Sequence, residues 1–207
     1  MNSNKKSRSN SRRATGASGK AFVALAILAA ALLPSPVSAL LPLPAKQAGL
    51  KGGRPDAPIF IAASGSFIDC SFNSVVKQVG PNLIATGDLT QTMYGTLDGC
   101  WTGSERDVVF LRTGAATFHG SGIFDGTVEG RSGTIVMSYE GTYDPQTNVA
   151  TAHWVLAQGT DGLANLHGQG SWSGTFIDPV ETPCTGDPSG CEGMFGATYG
   201  GTLNFAP

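Results

Sequence analysis

The chain has 207 residues, with 13 Lys and Arg against 15 Asp and Glu, three His, four Cys and 29 Gly. Six of the basic residues (Lys5, Lys6, Arg8, Arg12, Arg13, Lys20) fall in the first 20 positions, so beyond them seven basic residues face all 15 acidic ones, a net charge of −8. A mildly acidic, glycine-rich chain has no electrostatic footprint for nucleic acid or an anionic membrane surface, and neither is expected as a partner.

The basic start runs into the apolar block Ala21 to Leu33 and then Val37-Ser38-Ala39. Basic, apolar and small-residue parts in that order make a secretory signal. The block is short against the ~20 residues of a membrane helix, so residues 1–39 are read as a cleaved signal peptide, with a retained anchor as the competing reading. Arg12-Arg13 lacks the apolar residue that a twin-arginine signal places soon after the pair. Residues 40–58, "LLPLPAKQAGLKGGRPDAP", are rich in Pro and Gly without periodicity and read as a flexible linker. The folded domain is then 59–207, long enough for one core.

From Ile59 onward, Gly, Asn, Asp and Pro cut the chain every 8 to 12 residues into intervals rich in Val, Ile, Thr and aromatics. That spacing predicts an all-β fold. The strands are expected at Ile59–Phe72, Leu83–Thr96, Val108–Arg112, Ala115–Val128, Gly133–Tyr143, Val149–Gln158, Gly168–Ile177 and Ala197–Phe205. Eight antiparallel strands close a small barrel, with the last pairing back onto the first to remove the open edges. Gly-Thr recurs at Gly95, Gly126, Gly133, Gly141, Gly159, Gly174 and Gly201, which suggests a device for bending strands, glycine taking positive φ at turns and bulges. The one helical hint is a single turn at "DGLANLHG".

Four cysteines in an exported chain favour two disulfides over a metal site, since neither a C-x-x-C pair nor a histidine at ligand spacing is present. "CTGDPSGC" brackets a turn-rich loop, so Cys184–Cys191 and Cys70–Cys100 are the expected bridges. No metal and no cofactor is implied: there is no P-loop, no H-E-x-x-H and no G-x-S-x-G.

"GIFDGTVEGRSGTIVMSYEGTY" (Gly122 to Tyr143), "GTDGLANLHGQGSWSGTF" and "YGGTLNF" together resemble a bacterial family of uncharacterised function assigned an allene oxide cyclase-like barrel. The most specific piece is F-x-G-T-V-x-G-R-x-G-T, Phe124 to Thr134, supported by the L-x-x-L-x-G-x-G run from Leu163 to Gly170. The resemblance covers roughly residues 114–205 well and 65–103 loosely, and this chain adds "PVETPCTGDPSGCEG" (Pro179 to Gly193) before the last strand. These are turn and strand-start signatures, so what they imply is the fold: a closed, calycin-like barrel.

Candidate chemistry is sparse. A hairpin through "DPQTN" sets Glu140 opposite His153 on neighbouring strands. Facing inward, the two could act as general base and orienting partner; facing outward, they are an exposed ion pair. Phe124, Tyr139 and Trp154 could line an apolar pocket or simply pack as core. Three functions remain open: a secreted barrel binding a small apolar molecule inside, a cofactor-free cyclase or isomerase as the resemblance implies, and a structural or interaction module with a filled barrel. A cavity of roughly a few hundred Å3 beside Tyr139 and Trp154 would favour the first two, and a packed interior the third. Polar residues converging inside would favour catalysis over passive binding.

Overall fold

The computed structural model describes residues 59–206, and the signal peptide and linker expected at 1–39 and 40–58 lie outside them. The described chain forms eight strands: β1 Ile59–Val79, β2 Asn82–Gly95, β3 Leu97–Phe110, β4 Ala116–Val128, β5 Arg131–Asp144, β6 Val149–Ala157, β7 Leu166–Phe176 and β8 Gly193–Phe205. Each pairs antiparallel with the next, and β1 pairs with β8 from Ile59↔Phe205 to Ser71↔Gly193, closing a single barrel. Two 3-10 turns, Asp161–Leu163 and Pro188–Gly190, interrupt the strands. The fold is the closed eight-stranded antiparallel barrel that the turn spacing implied.

Local chemistry sets the corners. Glu129 and Gly130, both at positive φ (51° and 74°), make a two-residue turn between β4 and β5 whose twist matches the strands it joins. Between β5 and β6 the Asp144 carboxylate accepts from the Gln146 N–H at 2.9 Å and the Thr147 hydroxyl at 3.1 Å, fixing the turn that brings Glu140 opposite His153. The largest departure from the expected strands is β3, which spans Leu97–Phe110 rather than Val108–Arg112. Its segment "LDGCWTGSERD", Leu97 to Asp107, is too polar and glycine-rich to be read as a strand, yet it pairs with β4 throughout and with β2 from Gly99 onward.

The recurring glycines turn few corners. Among the seven Gly-Thr pairs only Gly95 has positive φ, 108°, and the register between β4 and β5 runs unbroken from Ala116↔Tyr143 to Val128↔Arg131. What matters at most of them is a missing side chain. A β-carbon on Gly126 would lie 2.7 Å from Phe124 Cζ, and one on Gly120, directly across from Tyr139, would lie 2.8 Å from Tyr139 Cε1. Inward-facing glycines therefore supply the room in which inward-facing rings lie flat. Phe67, Trp101, Phe118, Phe124, Tyr139, Trp154, Trp172 and Tyr199 share one continuous buried cluster.

The end where β1 starts and β8 finishes is sealed by Leu163 of the first 3-10 turn, which is fully buried along with Leu97, Val128, Leu156, Leu166 and Leu203. That turn is held by Thr160, whose N–H donates to the Thr134 carbonyl at 2.8 Å and whose Oγ1 accepts from the Thr134 N–H at 3.2 Å. At the other end β1 and β2 continue past the barrel as a hairpin, and a strap over residues 177–192 lies against the outer wall before β8 begins.

The strap corrects the expected cysteine pairing. Cys70 bonds Cys191 and Cys100 bonds Cys184, with Cα separations of 5.3 and 5.7 Å. Cys70 on β1 and Cys100 on β3 stand on opposite sides of β2, beside Thr90 and Thr92, so two interstrand spacings of about 4.8 Å separate them. That exceeds the reach of a bridge. Each instead ties the strap to the wall, Cys184 at its middle and Cys191 near its end, while Thr92 Oγ1, lying between them, donates to Thr182 Oγ1 at 2.7 Å and accepts from the Cys184 N–H at 3.1 Å. Two disulfides also fit an oxidising, extracytoplasmic compartment.

Two outcomes test this packing. Gly120→Ala should cost about 1–3 kcal/mol in chemical denaturation, whereas Gly190→Ala, where a β-carbon meets nothing within 4 Å, should stay within about 0.5 kcal/mol. Non-reducing peptide mapping should recover Cys70–Cys191 and Cys100–Cys184; recovery of a Cys184–Cys191 peptide would contradict the strap geometry.

Candidate functional site

On β3 the pleat sends Leu97, Trp101, Glu105 and Asp107 into the barrel and Arg106 out to solvent. Asp69 of β1 also points inward, beside Gln91 of β2 and Phe195 of β8. The result is three carboxyl groups inside a barrel whose remaining lining is almost wholly apolar. Asp69 is 9 % exposed, and Glu105 and Asp107 are partly exposed near the end where β3 finishes.

Closure dictates the electrostatics. Burial pushes the Asp69 carboxyl up to about 8; the Phe195 backbone N–H opposes this only in part, and the charge of Asp107 adds to it. Burial also raises Glu105, to about 8, with the neighbouring Asp107 as the next cause. The Tyr139 hydroxyl donates to Glu105 Oε2 at 2.7 Å and works the other way. Asp107, nearer the end, is raised to about 6, again by burial. The Tyr139 phenol is held well above its ordinary value by burial and then by the charge of Glu105. No cation contributes to any of these shifts, because the nearest in sequence, Arg106, faces outward.

Aromatic rings surround the group. Trp172 stacks on Phe118 at 5.5 Å and meets Tyr139 edge-on at 5.9 Å, Phe67 at 5.5 Å and Phe195 at 5.5 Å. Next to Asp69, the Gln91 side chain is 2 % exposed and its Oε1 has no hydrogen-bond partner. Gln91 borders a central void of about 10 Å3 shared with Phe67, Met137, Trp154 and Trp172, room for a single water. Among the described residues no three His, Cys, Asp or Glu side chains converge as a metal ligand set.

The residues singled out in the sequence fall into two places. Phe124, Tyr139 and Trp154 point inward and are buried, but they pack as core, and only Trp154 borders the void. Glu140 and His153 stand directly opposite each other, as the hairpin register required. Of the two orientations left open by the sequence the outward one is found, and the inward acid–base pair is corrected: both are exposed on the outer wall, because Tyr139 and Trp154 beside them take the inward positions of the pleat. There they border an open outer depression of about 670 Å3 with Thr142, Thr151, Ser171 and Ser173. Asp69, Glu105, Asp107 and Gln91 escaped the sequence reading. The signal was available for two of them, since Trp101, Gly103, Glu105 and Asp107 alternate with Arg106 and Ser104 as one inward face of a strand.

Residues 73–175 match a family model described as "Protein of unknown function (DUF3224)". The expected likeness to an uncharacterised family therefore holds. The match takes in Gln91, Glu105, Asp107 and Tyr139 and leaves Asp69 just outside. A crystal structure of a protein of unknown function from the DUF3224 family of Shewanella oneidensis MR-1 is similar over 72% of this chain and 99% of that one, at 21% identity and a TM-score of 0.50, a likeness of fold. No curated protein matches the chain.

The raised carboxyls carry a stability signature. An unfolded Asp ionises near 3.9, so between about pH 4 and 8 the folded state keeps a proton at Asp69 that the unfolded chain has released. Stability is complete below that window and is lost as pH rises through it, by up to ~1.4 kcal/mol per pH unit for each such group. The urea midpoint should be higher at pH 5 than at pH 8, and Asp69→Asn should flatten the difference; a midpoint rising toward pH 8 would contradict the placement.

Proposed function

We propose that this protein is a secreted barrel that binds a small molecule at its carboxylate-bearing end. The observation that carries the reading is the group Asp69, Glu105 and Asp107, set inside the barrel with no compensating cation among the described residues. Burying carboxyls without a cationic partner destabilises a fold, and such groups concentrate where a protein binds or reacts. The apolar centre is a poorer candidate, since a void of about 10 Å3 admits no organic ligand. The site therefore moves from the middle of the barrel to one end.

A second reading, proton transfer in a cofactor-free isomerase or cyclase, draws on one specific contact. Tyr139 donates to Glu105 at 2.7 Å, and a carboxyl raised to about 8 can both hold and release a proton near neutrality. Binding and turnover separate by substitution. Glu105→Gln keeps the shape and much of the hydrogen bonding, so it should leave binding of a neutral substrate within a few fold and lower turnover by about 10²-fold or more.

Two measurements test the proposal as a whole. Native mass spectrometry of protein purified from its own culture medium should show a retained molecule that is lost on unfolding; bare protein that no compound library stabilises would favour the filled structural module. N-terminal sequencing of the exported protein should begin at Leu40, following cleavage after Ala39. Protein that stays cell-bound with Met1 in place would overturn secretion.

A further inference from the structure

The carboxylate-bearing end has a chemical bias that narrows its ligand, an inference that rests on the binding reading above. Its polar groups are the carboxyls of Asp69, Glu105 and Asp107, none of them paired with a cation among the described residues, and the Gln91 Oε1, an acceptor that is buried and unpartnered beside Asp69. The Tyr139 hydroxyl is already committed to Glu105. An anion would meet no cation there, and its charge would stand against that of Asp107. A bare metal ion would find no converged set of ligands among the described residues.

The apolar surroundings favour a cation with a carbon body. Phe118 stands across from Asp107 and Phe195 across from Asp69 on neighbouring strands, with Trp172 packed against both rings; the face of such a ring attracts an ammonium group through its quadrupole. The antiparallel order brings the ends of β1, β3 and β7 to the same end of the barrel as Asp107. Val76 and Phe176, on the inward side of β1 and β7 near two of those strand ends, are 45 % and 55 % exposed. An apolar rim around recessed acceptors matches a molecule that is cationic at one tip and apolar behind it.

We propose that the barrel end formed by Asp69, Gln91, Glu105 and Asp107 binds an organic ammonium compound, its charged head against the two β3 carboxylates and its apolar body against the rim. An ammonium group donates to several acceptors at once and neutralises charge that the protein leaves uncompensated. Glu105 and Asp107, being partly exposed, meet it first, with Asp69 and the Gln91 carbonyl behind them.

Isothermal titration calorimetry at pH 7.5 on the mature protein would decide it, with 3-phenylpropylammonium, the neutral 3-phenylpropanol, the anionic 3-phenylpropionate and calcium chloride as probes. The ammonium compound should bind roughly tenfold or more tightly than the alcohol, and the carboxylate should not bind. Glu105→Gln and Asp107→Asn should each lower ammonium affinity by about tenfold and leave the melting temperature at pH 8 unchanged or raised, while Glu140→Gln on the outer wall changes neither. Equal binding of ammonium and alcohol would overturn the cation assignment and leave small-molecule binding standing. Stabilisation by calcium alone would overturn it in favour of a metal ion. If no ammonium probe binds, the assignment falls; a neutral molecule retained in native mass spectrometry would then keep the binding reading, and bare protein would end both.

Discussion

An eight-stranded barrel encloses just enough space for its own side chains, and here that space is rationed by pairing rings with glycines. Tyr139 lies over Gly120, Phe118 over Gly141 and Trp154 over Gly170, each pair joined across neighbouring strands. A methyl group at any of these glycines would run into the ring opposite. The composition, glycine-rich yet able to bury three tryptophans, follows from this arrangement. The rings fill the centre and Leu163 seals one end, and the inward carboxyls Glu105 and Asp107 lie toward the other.

The same closure explains why carboxyls can remain inside. Once β3 is paired on both sides, its pleat cannot be reversed residue by residue, so Glu105 and Asp107 share the inward face with Trp101 while Arg106 is turned away. A one-residue slip would expose the acids and bury the arginine, but it would also expel Trp101 and Leu97 from the core. The apolar members of the strand thus hold the acidic ones in place. Raised carboxyls are the physical consequence, and the Tyr139 hydroxyl offsets only part of the cost.

The strap is a separate solution to a separate problem. Its loop could close on itself through Cys184 and Cys191, yet each cysteine reaches a different strand, and the outer wall is covered around Cys70 and Thr92 as a result. Cys70 and Thr92, at outward positions, are buried beneath it. The opposite wall has no such cover, and Glu140 and His153 stand there among serines and threonines in the open.

The sequence by itself determined the fold class, the number of strands, a turn between Val128 and Gly133, the turn through Asp144–Asn148 and the opposition of Glu140 and His153. These are properties of local chemistry: turn residues every 8 to 12 positions, and hairpins whose register follows from the length of the turn. Three things were decided only by the tertiary structure. Which face of each strand is inside depends on where the sheet closes, so Glu140 and His153 went to the outer wall and Glu105 and Asp107 went in. Which cysteines meet depends on strand neighbours, since β2 stands between Cys70 and Cys100 and the strap crosses over it. The glycines' role depends on what lies across the strand from them: a glycine read alone signals a bend, and only pairing shows that Gly120 makes room for Tyr139.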